Sequence, residues 1–241
     1  MKRSLRRDIR LLQLWAIVSS GIVVLLTAAG FTQGQARGTR FEEISVERIN
    51  IVEQDGRVRL VLANGSRQAD RVLDGQVIAP GRNRPAGMIF FNELGNEVGG
   101  LMFTGRQQDG RHDATASLTF DQWRQDQTVA LQYVDQNGQR RAGLAVIDRP
   151  NTSLAARVDL TEKRRTATTD ADRAAIDRDI TALGPQSVPR MFVGRGMEGS
   201  ATLVLSDPQG RQRLVLSVDT GGRPTIRFLD ESGKAVREIV P

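Results

Sequence analysis

Along most of this chain apolar residues recur at every second position. The runs they form are separated by short turns in which Asp, Asn or Glu is followed three residues later by Gly. Val58, Leu60 and Leu62 alternate with Arg57, Arg59 and Val61, the period of two expected of a half-buried strand. Six turns begin at Glu53, Asn92, Asp135, Asp207, Asp219 and Asp230 and end on Gly56, Gly95, Gly138, Gly210, Gly222 and Gly233. An acid or amide at the first position can accept turn amides, and glycine takes the left-handed conformation that closes the hairpin. The last three turns start 12 and 11 residues apart, which predicts an antiparallel meander.

The stretch Ala86 to Gly105 departs from this pattern. Met88 and Phe90 point one way, Ile89 and Phe91 the other, so both faces of the strand are apolar and both need a cover. That predicts either the centre of the sheet or a seam closed by another chain. Gly99 and Gly100 inside the return strand predict a bulge or a close backbone approach. The polar excursion from Gly65 to Pro85 has room for a short strand near Val77 and Ile78. Arg106 to Asp113 reads as a polar loop holding the lone histidine, His112, with Asp113 as its nearest partner. Ala116 to Phe120 and Thr128 to Val134 read as strands, and Arg141 to Asp148 returns from the Asp135 turn until Arg149-Pro150 ends it.

From Ser153 to Gly184 the period changes. Ile176, Ile180 and Leu183 fall at helical spacing, Asp170 is a candidate cap and Gly184-Pro185 a stop, so a helical insertion is expected near residues 155–184. At the other end, Leu11 to Phe31 is uncharged, about the length that crosses a bilayer as a helix. Basic residues before it place residues 1–10 in the cytoplasm and the bulk of the chain outside it. A cleaved signal peptide is the competing reading, and either one exports the remainder. Residues 32–40 read as a tether, 41–152 as a β-rich region, 153–185 as the insertion and 186–241 as the meander of the same domain. The fold class expected is all-β, an antiparallel meander of hairpins curled into a two-layer sheet or barrel-like domain.

Composition narrows the function classes. The 241 residues are 39% hydrophobic, enough for a core, and carry a net charge of +6. Four of those six charges lie in the first ten residues, so the exported part is nearly neutral and has no basic stripe for nucleic acid. The absence of cysteine removes disulfides and thiol chemistry. No cofactor motif and no metal-ligand set is legible; the Asp135 turn lacks the further acids of a calcium loop.

One polar run carries candidate chemistry. Asp121 and Asp126 could form a carboxylate pair for hydrolysis, which requires their carboxyls roughly 5 to 9 Å apart, and Trp123 between them could stack on a sugar or small ligand. The structural alternative has the acids bonding turn amides and Trp123 folded onto the core.

The strings AGMIFFNELGNEVGGLMFTG, LTFDQWRQDQ, RAGLAVIDRP, DPQGRQRLVLSV and IRFLDESGK resemble an uncharacterised family of bacterial proteins with one amino-terminal span and a β-rich exported domain. The resemblance covers about Phe41 to Pro150 and Arg190 to Pro241. It implies a bacterial inner-membrane anchor and a periplasmic domain, and no activity. The function expected is a membrane-anchored, extracytoplasmic, non-catalytic interaction or structural module that self-associates or joins an envelope assembly. The alternatives are a glycan or small-ligand module using Asp121, Trp123 and Asp126, and a hydrolase using the two carboxylates.

Overall fold

A computed structural model describes residues 13–22, 39–78, 80 and 84–241. The chain divides into an amino-terminal unit, Met1–Ser45, and a second unit, Val46–Pro241, which holds every described strand. Residues 13–22 are helical (α1). Among the described residues no helix is long and apolar enough to cross a membrane. Most of the expected span Leu11 to Phe31, the basic segment 1–10 and most of the tether 32–40 lie outside the described residues.

The second unit is mostly β. Its strands are β1 (Arg48–Val52), β2 (Val58–Ala63), β3 (Arg71–Leu73), β4 (Gln76–Ile78), β5 (Gly87–Phe91), β6 (Glu97–Gln108), β7 (Arg111–Asp121), β8 (Gln127–Gln136), β9 (Gln139–Asp148), β10 (Val188–Arg195), β11 (Ala201–Ser206), β12 (Gln212–Val218), β13 (Pro224–Leu229) and β14 (Ala235–Ile239). Twelve of them form one antiparallel sheet in the order β1-β2-β5-β6-β7-β8-β9-β10-β11-β12-β13-β14, while β3 and β4 pair separately as a small ribbon. The sheet runs as a meander and is not closed. The barrel-like alternative is therefore corrected: among the described residues β1 and β14 each pair on one side only, so the sheet does not close on itself.

The turns form for the reason the sequence suggested. In the carboxy-terminal meander one oxygen of Asp207, Asp219 and Asp230 accepts the amides two and four residues on, at 2.9 to 3.0 Å. The glycine that follows, Gly210, Gly222 or Gly233, has φ near +80° and donates back to the acid's carbonyl. Asn92 does the same for the Leu94 and Asn96 amides. The Asp135 turn is tighter than expected. Strand β8 continues to Gln136, and Asn137 and Gly138 alone make the bend with φ of 54° and 91°, the left-handed pair of a two-residue hairpin.

The expected loop Arg106 to Asp113 is corrected in the same way: Asp109 and Gly110 form a two-residue turn, with φ of 52° and 76°, and the flanking residues pair in β6 and β7. His112 thus belongs to a strand. Its Nε2 lies 3.0 Å from Asp135 Oδ1 across β7 and β8, so its partner is Asp135 rather than Asp113.

The insertion is a helical hairpin, α2 (Leu154–Thr166) and α3 (Asp170–Ala182). Ser153 caps α2. Thr169, not Asp170, caps α3 by accepting the Asp172 amide at 3.1 Å. A hydroxyl one residue earlier meets an amide that opens the helix, while Asp170 is already helical and pairs with Arg173.

The ribbon places the core. Val61, Ala63, Ile89 and Phe91 on one face of β2 and β5 pack with Ala69 and with Val72 of β3. Leu73 and Ile78 on the ribbon pack in turn with Leu154 at the start of α2. The doubly apolar strand β5 is therefore covered on its Ile89 face by its own chain. It sits third in the sheet rather than at the centre, which corrects the expected position. Gly99 has φ of 144°, and a Cβ there would lie 2.2 Å from the Thr119 carbonyl oxygen, so glycine lets β7 approach closely. Beside it the β5–β6 register shifts between Phe90 and Phe91.

Candidate functional site

Two features of the second unit invite a functional reading: a buried charged cluster under the Gln122–Asp126 turn, and the open face of the sheet.

The cluster forms where β7 ends and β8 begins. Asp121 is the last residue of β7, and Asp126 immediately precedes β8. Both reach the same nitrogen of Arg71 from the ribbon: Nη2 lies 2.9 Å from Asp126 Oδ1 and 3.5 Å from Asp121 Oδ2. Beside them Arg84 makes a two-pronged pair with Glu97, 2.8 Å to each oxygen. Among the described residues the ion pair at 3.5 Å is the only close partner of the Asp121 carboxylate. Its side chain is 1% exposed, and among the described residues neither carboxylate oxygen has a hydrogen-bond partner.

Burial separates the two acids electrically. For Asp121, loss of water outweighs the pull of Arg71 and pushes the pKa up to about 7. For Asp126, burial works in the same direction, but the Arg71 guanidinium with the Gln127 amide overcomes it and holds the pKa below the ordinary value. Arg71, Arg84, Glu97, Asp126, Leu154 and Val158 line one cavity of about 330 Å³. Asp121 does not line it.

The remaining contacts tie the cluster to the insertion. Arg124, with φ of 54° at the turn, pairs with Asp74 at 2.6 Å, and its carbonyl accepts the Leu154 amide. Ser153 donates to the same Asp74 oxygen at 3.0 Å. Trp123 stands at the tip of the turn, 62% exposed, and does not fold back on the core. The sequence brought Asp121, Trp123 and Asp126 to attention and missed Arg71, Arg84 and Glu97. The excursion that carries Arg71 reads as polar with a short strand near Val77 and Ile78, which is β4, and nothing local in the sequence links Arg71 to Asp126, 55 positions on.

The open face is carried by register. From Ile49 the pairing runs through Leu62, Met88, Leu101, Leu118, Leu131, Leu144, Val193, Leu203, Leu216 and Ile226 to Ile239, one apolar residue from each strand of the large sheet. Flanking rows on the same face include Phe90, Phe120, Val129, Met191 and Leu214 on one side and Phe103, Tyr133 and Val218 on the other. The ribbon packs on the opposite face, at β2 and β5. On the open one, Phe103 and Phe120 are 56% exposed and Leu131 53%. Toward the carboxy-terminal strands the face forms an apolar groove of about 670 Å³ over Leu203, Leu216 and Ile226. Monomeric proteins seldom leave so continuous an apolar surface in water.

Among the described residues no group of three or more His, Asp or Glu side chains is placed to hold a metal ion. No family model matches the chain, and neither a curated protein nor a solved structure is significantly similar to it.

Proposed function

We propose that this chain is a non-catalytic interaction or structural module, anchored to a bacterial inner membrane by Leu11 to Phe31, whose exported domain self-associates or docks into an envelope assembly through the open face of its sheet. The observation that carries the reading is the unbroken apolar row with its half-exposed residues. A hydrolase is disfavoured because Asp121 is closed off from the neighbouring cavity, and a general acid must reach the proton it transfers. The test is site-specific photocrosslinking of the full chain in its native membrane. A crosslinker at Leu131 or Phe120 should give a discrete adduct, and one at Arg227 on the opposite face should not. Equal yields from both faces would sink the reading.

A second reading rests on Trp123. Its exposed indole at the tip of the turn suits a glycan or small apolar ligand. Replacing Trp123 with Ala should then abolish retention on cell-envelope glycans while leaving the Leu131 adduct intact.

A further inference from the structure

We infer that the occupant of the open face is a second copy of this chain, packed face to face about a two-fold axis that runs along β9 and β10. The inference rests on the docking reading above and names its partner.

Three observations support it. The first is self-complementarity. An axis along the strands between β9 and β10 exchanges the two halves of the face, so β6 meets β13, β7 meets β12 and β8 meets β11. The protruding residues Phe103, Phe120 and Leu131 all lie on β6 to β8, and the groove lies over β10 to β14. Each copy thus offers its exposed side chains to the other's groove, twice, as an isologous interface requires.

The second is area. Strands about 4.8 Å apart and same-face residues about 6.8 Å apart give the eight strands β6 to β13, three rows deep, roughly 770 Å² per copy. Both copies together would bury about 1,500 Å², within the range of stable interfaces. Restricting the contact to these strands respects sheet twist, which turns the outermost strands away from a facing sheet.

The third is the lack of charge. Over these strands the three rows contain one charged residue, Arg195, and it is tied to the Arg140 and Gly196 carbonyls at the rim. With its one cation held by carbonyls at the rim, the face can be buried against its own copy without leaving an ion among the two remaining rows.

The chain has no cysteine, so introduced thiols report single sites. Two tagged full-length preparations, Leu118→Cys and Leu216→Cys, are mixed in detergent and treated with a short bis-maleimide; a second mixture, Gln132→Cys with Arg227→Cys, reports the opposite face. The expected result is a mixed-tag dimer from the first mixture and about tenfold less from the second, together with a solution mass for the parent chain of twice 26.5 kDa. Leu131→Asp, at an exposed position that folding tolerates, should return the mass to one copy. A monomer in which the thiol introduced by Leu118→Cys is rapidly labelled by maleimide overturns the second copy and leaves the docking reading standing. A monomer in which the thiols of Leu118→Cys and Leu216→Cys both resist labelling overturns the two together, because the face would then be closed within one chain.

Discussion

Replacing Asp121 with Asn removes a charge that the fold accommodates poorly, and the effect should depend on pH. In the folded chain the carboxyl titrates near 7, against 3.8 when unfolded. Between those values the folded state holds a proton that the unfolded state has released, so this group favours folding fully only below about 3.8. Its contribution declines as pH rises and is gone above about 7. From pH 5 to pH 8 the loss amounts to about 2.5 kcal/mol. Asn cannot ionise, so the variant lacks that slope; its unpaired amide adds a roughly constant cost of about 1 to 2 kcal/mol. By pH 5 the parent has already lost about 1.7 kcal/mol of this contribution, so the variant should be about as stable as the parent there and more stable by about 2 to 3 kcal/mol at pH 8. Urea unfolding of both proteins across this range, followed by far-ultraviolet circular dichroism, measures the difference with other titrations cancelling. Parallel stability profiles would refute the burial argument for Asp121.

Other substitutions probe the remaining links. Gly99→Ala sets a Cβ against the Thr119 carbonyl at a left-handed φ and should cost about 2 to 3 kcal/mol in the same unfolding assay. Arg84→Met leaves Glu97 buried without its two-pronged partner, and a loss of about 3 to 5 kcal/mol is expected in the same assay. Leu154→Ala opens the small core between ribbon and insertion; about 2 to 4 kcal/mol should be lost, with faster amide exchange in β3 and β4 as the local signature.

Much of the fold is legible in local chemistry. The Asp-x-x-Gly turns bend where an acid can accept two amides and a glycine can take positive φ, and the insertion stops where Gly184 does the same after Leu183. The errors have physical causes as well. Asp109-Gly110 and Asn137-Gly138 bend in two residues, so polar positions counted as loop or as a wider turn belong to strands. The preference of Thr169 over Asp170 as a cap turns on one residue of helix phase.

Sequence alone determines the alternation within each strand, the places where the chain reverses and the switch to helix after Ser153, because these depend on neighbours a few residues apart. Tertiary structure decides which face of the sheet is covered. The period of two makes Met88 and Ile89 equivalent candidates for burial, and only the ribbon, crossing one side, buries Ile89 and leaves the Met88 row open. It also decides the charged cluster: Arg71 and Asp126 lie 55 positions apart, and no local preference brings them to 2.9 Å. Their meeting follows from ribbon packing, which shuts water away from Asp121 and so moves its titration to near neutral pH.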